Sequence, residues 1–145
     1  MKLKLEHVAI IVSDLEKMKT FYTEYFAGTS SKKYENKHKN FTSYFIEFNG
    51  DSKIELMHLG AVKISSNTNN NINGINHLAF STSSKDEVVY KLQEAKIYGL
   101  NILEEPRLSG LGYYVGTISD PEGNKIEILY KNLEILQPHQ THYHA

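Results

Sequence analysis

The spacing of hydrophobic positions changes along the chain, in an order that predicts a strand, a helix and then further strands. Residues 2–12 are rich in β-branched side chains, which predicts a largely buried strand. Residues 13–28 carry apolar side chains every three or four positions, which predicts a helix. Residues 41–48 and 52–59 then alternate as half-buried strands do, and an Asn-Gly-Asp turn separates them.

The same order returns in the second half of the chain. Residues 75–82 predict a strand and residues 84–99 predict a helix with one apolar face. Both helices are expected to begin with a capping box and to stop at a glycine. The residues that suggest this are Ser13, Glu16 and Gly28 for the first helix and Ser84, Glu87 and Gly99 for the second. Further strands are predicted at 100–105, 112–119 and 125–130.

The two halves therefore read as an internal repeat of one βαβββ unit. Each half places a histidine in its first strand and a glutamate between apolar residues in its last strand; these are His7 and Glu55, then His77 and Glu127. We predict a single domain over residues 1–132 and a loosely ordered tail over 133–145. Within the domain, the predicted parts are module one at about 3–60, an Asn-rich linker at about 61–74 and module two at about 75–131.

Composition restricts the chemistry that this repeat can support. The chain has 145 residues, a formal net charge of −1 and no cysteine. A nearly neutral chain offers no basic surface for nucleic acid or an anionic membrane, and its apolar runs are too short to span a bilayer. We therefore expect no nucleic-acid or membrane partner and a cytoplasmic location. Any metal must be held by histidine nitrogen and carboxylate oxygen.

The repeated His and Glu residues suggest a metal centre. If the two halves pack face to face, two imidazoles and two carboxylates meet between curved mixed sheets, and this donor set suits a first-row divalent ion. Burying two carboxylates without a cation would destabilise the fold by roughly several kcal/mol, the usual penalty for buried charge. The pattern therefore favours an ion bound by His7, Glu55, His77 and Glu127.

These residues and the turn Asp120-Pro121-Glu122-Gly123-Asn124 resemble the vicinal oxygen chelate superfamily, which includes glyoxalases, bleomycin resistance proteins and dioxygenases. The resemblance is strongest to glyoxalase I-type, lactoylglutathione lyase-like members and covers residues 3 to about 130. It implies an α+β fold of paired βαβββ modules and one divalent ion per site (Ni, Zn, Co, Mn or Fe) on the four residues named above. It also implies a substrate that chelates the ion through two adjacent oxygens.

The implied activity is that of a metal-dependent lyase or isomerase that moves a proton between adjacent carbons of its substrate. Glu127 is the better candidate for the general base, with Glu55 as its symmetric counterpart. Arg107 and Tyr113, in the Gly-rich segment 106–114 that leads into the predicted strand at 112–119, are candidate substrate-binding residues. A homodimer is expected, because two such modules expose hydrophobic strand surface that one copy cannot cover. Superfamily members build the site either within one chain or across a dimer, and the sequence fits both arrangements.

Two positions depart from the glyoxalase I pattern. Ile11 stands where those enzymes usually carry an arginine, and Leu59 stands where they usually carry an asparagine. In those enzymes both residues help to hold glutathione, the thiol from which the substrate is made. We therefore expect this protein to use a different thiol or to bind glutathione weakly. His58 is expected on the opposite sheet face from Glu55. His139, His142 and His144 are expected to be solvated tail residues.

Three other functions of the same superfamily remain open. Extradiol dioxygenases use two His and one Glu on iron, and a fourth ligand at Glu55 would occupy a position that oxygen needs. Methylmalonyl-CoA epimerases share the layout, although they usually carry Gln at the position of Glu55. Antibiotic-sequestering proteins of this fold bind a drug without the metal ligands. The complete ligand set favours the lyase or isomerase.

Overall fold

The computed structural model describes residues 1–61 and 73–131. The chain divides into two compact units, Met1–Thr68 and Asn69–Ala145. The predicted tail and most of the predicted linker lie outside the described residues, so both stay predictions. Within the described ranges, no helix is long and apolar enough to cross a membrane.

The first unit contains one mixed sheet and one helix. Its elements are β1 (Val8–Ile11), α1 (Leu15–Glu24), β2 (Thr29–Ser30), β3 (Tyr34–Asn36), β4 (Phe41–Glu47) and β5 (Lys53–Leu59). The sheet order is β1-β5-β4-β2, and β3 also pairs with β4. Strand β1 runs parallel to β5, and the other pairs are antiparallel.

The second unit repeats this arrangement. Its elements are β6 (Leu78–Ser81), α2 (Lys85–Tyr98), β7 (Ile102–Leu108), β8 (Tyr113–Ser119) and β9 (Lys125–Lys131). The sheet order is β6-β9-β8-β7, with β6 parallel to β9. The α+β class and the repeated module are therefore confirmed. In the first unit the strand after the helix is divided into β2 and β3, which are too short to show an alternating pattern in the sequence.

Each helix packs on one face of its own sheet. The helical positions that carry the apolar stripe are buried, as predicted, against alternate residues of the central strands. The buried residues are Met18, Tyr22, Ile46 and Leu56 in the first unit and Val88, Leu92, Ile126 and Ile128 in the second. This alternation leaves the intervening residues of each strand on the sheet face away from the helix.

The predicted ends of α1 are wrong by a residue or more. Asp14, not Ser13, is the N-cap, and its carboxylate accepts a hydrogen bond from the Lys17 amide at 3.0 Å. The helix stops at Glu24, and the left-handed residue that follows is Ala27 with φ 54°. Gly28 is needed instead for packing, because a Cβ there would lie 2.4 Å from Ile46 Cγ2.

Helix α2 begins and ends as predicted. The Ser84 side chain caps the helix by accepting from the Glu87 amide at 3.2 Å. The Glu87 carboxylate returns to the amide of Ser83 at 2.8 Å, one residue earlier than the usual capping box. Gly99 ends the helix with φ 77°, a conformation that favours glycine.

Candidate functional site

Each histidine lies immediately before the first strand of its unit, next to the glutamate of the last strand. In the parallel pair β1–β5, Ala9 is the partner of Glu55, and in β6–β9, Ala79 is the partner of Glu127. The histidine is two residues before that alanine in both units. The register is thus identical, and it places one His–Glu pair in each unit.

The ring nitrogens face the carboxylates directly. His7 Nε2 lies 3.6 Å from Glu55 Oε1, and His77 Nε2 lies 3.2 Å from Glu127 Oε2. Two donors that bind one divalent ion at about 2.0–2.2 Å are themselves separated by roughly 3.0–3.5 Å. The His77–Glu127 distance falls within this range, and the His7–Glu55 distance lies just above it.

Both glutamates lie on the sheet face that does not carry the helix. Ile54 and Leu56 flank Glu55 and are buried on the helix side, and Ile126 and Ile128 flank Glu127 in the same way. Strand alternation consequently turns both carboxylates to the other face. The glutamate side chains are partly buried, with 14% exposure at Glu55 and 27% at Glu127. Each carboxylate is thus a partly desolvated anion that a cation on its own sheet face would stabilise.

The surroundings of His7 include a charged pair. Glu6 forms an ion pair with Lys53, and this hydrogen bond lowers the pKa of the Glu6 carboxyl group. Glu6 Oε1 is 3.7 Å from His7 Nδ1, beyond hydrogen-bond distance. Among the residues that the structure describes, the buried Nδ1 atom has no hydrogen-bond partner. The Phe45 ring packs edge-on against the imidazole, with 5.0 Å between ring centroids.

The two pairs differ in the residue that lies opposite the glutamate on the neighbouring antiparallel strand. Phe45 is the partner of Glu55, whereas Thr117 is the partner of Glu127. Thr117 is completely buried, and its hydroxyl has no hydrogen-bond partner within the described ranges. An unsatisfied buried hydroxyl typically costs about 1–3 kcal/mol. The second pair therefore has a polar group beside its carboxylate that the first pair lacks.

We expect the replacement Thr117→Val to increase the free energy of unfolding by about 1 kcal/mol, because valine keeps the shape and removes the unsatisfied hydroxyl. Urea denaturation of the metal-free protein measures this change. Thr82→Val is the control of opposite sign, since the Thr82 hydroxyl donates to the carbonyl of Ser84 at 2.9 Å. Equal destabilisation by both replacements would show that the Thr117 hydroxyl is hydrogen-bonded in the folded protein.

A tight turn fixes the position of Glu127 along β9. Asp120 is buried, and its Oδ1 accepts from the amides of Glu122 and Asn124, both at 2.9 Å. Its Oδ2 accepts from the Asn124 side chain at 2.8 Å, and Gly123 has φ 90°. These bonds close the β8–β9 hairpin and set the register that pairs Thr117 with Glu127.

The remaining residues considered in the sequence are not part of either His–Glu pair. Arg107 lies at the end of β7, and its guanidinium donates to Glu104 at 3.3 Å, so a neighbouring carboxylate partly offsets its charge. By strand alternation Tyr113 shares the face of Glu127, about 13 Å further along the hairpin. His58 is tied to the Val12 carbonyl through Nδ1 at 3.0 Å. The roles of Arg107 and Tyr113 toward a substrate stay predictions.

Within the described residues, no group of three or more His, Asp or Glu side chains that could hold a metal is present. The four-ligand centre therefore stays a prediction that rests on two separate His–Glu pairs. His139, His142 and His144 lie outside the described residues.

Sequence reasoning missed the residues that surround the pairs. Glu6 and Asn76 are polar neighbours of the two histidines, and the repeat already aligned them, because each immediately precedes its histidine. Phe45 and Thr117 were not identifiable, since their place beside the glutamates depends on strand register.

A family model described as the Glyoxalase/Bleomycin resistance protein/Dioxygenase superfamily matches residues 4–128. The comparison with curated proteins gives no match. The matched range extends into both units and includes all four predicted ligands.

Solved structures show the same fold at low identity. A glyoxylase/bleomycin resistance protein/dioxygenase domain from Frankia sp. EAN1pec has a TM-score of 0.77 at 16% identity, covering 90% of this chain and 99% of that one. The trypanothione-dependent glyoxalase I of Leishmania major has a TM-score of 0.73 at 20% identity, with coverages of 92% and 91%. Glyoxalase I from Zea mays has a TM-score of 0.70 at 22% identity; 87% of this chain is covered, and it spans 44% of the maize chain.

Proposed function

Because the chain belongs to the glyoxalase/bleomycin resistance protein/dioxygenase superfamily, we propose that it is a metal-dependent lyase or isomerase of the glyoxalase type. The observation that carries the proposal is the repetition of one His–Glu pair at the same register in two units. Structures named glyoxalase I share the fold and add support.

The proposed ligands of one divalent ion are His7, Glu55, His77 and Glu127. When bound, the ion would supply Lewis-acid stabilisation of negative charge on the two adjacent substrate oxygens. Both carboxylates point away from the helices, so the substrate would bind on that face of each sheet. We include a homodimer and a cytoplasmic location in the proposal, on the basis of the family and of the charge and composition of the chain.

Glu127 is the proposed general base. Its side chain is more exposed than that of Glu55, 27% against 14%, so a substrate reaches its carboxylate more easily. Glu127 would take a proton from one substrate carbon and return it to the adjacent carbon. The product is then an isomer of the substrate, and the reaction needs no oxidant or reductant. Glu55, packed beside Phe45, would serve mainly as a ligand.

The thiol part of the substrate is proposed to carry less charge than glutathione. By strand alternation, Ile11 and Leu59 lie on the same sheet face as Glu55. Ile11 is 55% exposed, so this face offers an apolar side chain where an arginine would attract a carboxylate. The matched enzyme from Leishmania major is named as trypanothione-dependent, which supports a thiol other than glutathione within this fold.

The test is an activity screen of metal-reconstituted protein against hemithioacetals that methylglyoxal forms with several thiols. We expect isomerisation to a thioester, followed by absorbance, with higher kcat/KM for a small uncharged thiol than for glutathione. The matched control is His77→Ala prepared with the same metal, which should be inactive. If every adduct is left unchanged by protein that retains one ion per site, the proposed activity is wrong.

A further inference from the structure

Asn76 contacts the ring of the histidine that follows it. Asn76 Oδ1 lies 2.8 Å from His77 Nδ1, within hydrogen-bond distance. Adjacent residues of a regular strand point to opposite faces, so such a contact does not form inside a strand. It forms here because β6 begins only at Leu78. The irregular backbone before the strand thus brings a side-chain oxygen to the imidazole.

This contact determines which ring nitrogen carries the hydrogen. When the amide oxygen accepts a hydrogen bond, Nδ1 of the uncharged ring is the donor, and Nε2 holds a lone pair. That lone pair faces Glu127 Oε2 at 3.2 Å. Two acceptor atoms at this distance repel each other unless a cation lies between them. The arrangement is therefore suited to an ion rather than to a direct His–Glu hydrogen bond.

We infer that Asn76 is a positioning residue that fixes His77 in the Nδ1–H tautomer and so directs Nε2 to the metal. The role toward a metal rests on the proposed function, whereas the tautomer itself does not. A hydrogen bond to the far nitrogen orients a histidine ligand and raises its basicity. The amide of Asn76 supplies that bond without adding a charge.

The first unit lacks this arrangement. Glu6 occupies the position that corresponds to Asn76, but its carboxylate is held by Lys53 and stays 3.7 Å from His7 Nδ1. The two histidines are consequently unequal before any ion binds. His77 is already oriented by its neighbour, whereas the orientation of His7 relies on packing against Phe45.

Nitrogen-15 NMR of the histidine rings in metal-free protein tests the tautomer directly. Spectra are recorded after chelator treatment at a pH where the ring is uncharged, and His77 is assigned from the spectrum of His77→Gln. We expect the wild-type ring to show a protonated Nδ1 and an unprotonated Nε2. Asn76→Ala should shift the ring toward the Nε2–H form, and Asn76→Asp should restore the original pattern, since it keeps an acceptor oxygen.

Asn73→Ala is the matched control, because Asn73 is an exposed asparagine three residues earlier in the same segment. It should leave the His77 ring unchanged. A wild-type ring with its hydrogen on Nε2, or an Asn76→Ala ring identical to wild type, would overturn the inference. Both results are readable whether or not the protein binds metal.

Metal titration adds the second measurement. Loss of a partner that orients a metal ligand typically weakens binding by roughly 10–100-fold. We expect the Kd of Asn76→Ala for Zn²⁺ to increase in that range, with Asn76→Asp near wild type. Weaker binding in Asn76→Ala without a tautomer change would refute the positioning role. If wild type binds none of Zn²⁺, Ni²⁺, Co²⁺, Mn²⁺ and Fe²⁺, the proposed function fails while the NMR result still decides the tautomer.

Discussion

Simultaneous replacement of His7 and His77 with Ala should remove the stoichiometric metal, from one ion per site to none. The chain has no cysteine, so these rings are the nitrogen donors of the proposed site, and the remaining carboxylates bind transition metals less well. Metal content is measured by elemental analysis after dialysis. The background carries His139→Ala, His142→Ala and His144→Ala to eliminate binding to the tail.

The control for this experiment is His58→Ala. His58 lies on β5 with Glu55, but its Nδ1 is engaged by the Val12 carbonyl and its side chain is on the other face. It should keep one ion per site. A double variant that retains one equivalent of metal would show that the two rings are not the ligands.

The replacement Glu127→Gln should leave metal bound at least in part and lower kcat by about 10²–10⁴-fold, the usual contribution of general base catalysis. The amide keeps an oxygen that can ligate, but it cannot accept the substrate proton. Turnover is measured on the best hemithioacetal from the activity screen, with metal content determined on the same sample.

Glu55→Gln is the matched variant, because Glu55 has the same register in the first unit. Its effect on kcat should be smaller, since its carboxylate is the less exposed of the two and faces Phe45. Full turnover in metal-loaded Glu127→Gln would exclude Glu127 as the base. Equal losses in the two variants would indicate that both carboxylates take part in proton transfer.

The repeat and the positions of the four candidate ligands were predictable from the sequence. Their regular spacing survives in the structure because it reflects strand register, with Ala9 opposite Glu55 and Ala79 opposite Glu127. The apolar stripe of each helix was also predictable, because buried positions recur with the helical period.

Local details were less predictable where several residues compete for one role. Ser13 and Asp14 are both good caps, and only the helix start shows that Asp14 is used. Gly28 suggested a left-handed stop, whereas contact with Ile46 explains the glycine. The neighbours of the site depend on pairing between distant strands, so Thr117 carried no signal of its own.

The Asp120 turn has a consequence for the order of folding. Its hydrogen bonds join residues at most four apart, and hairpins of this kind form in roughly 1–10 μs. The parallel pairing of β6 with β9 must instead close a long loop that includes α2, which makes it slow. We therefore expect the β8–β9 hairpin, and with it the register of Glu127, to form before the parallel pairing of β6 with β9 places His77 beside it.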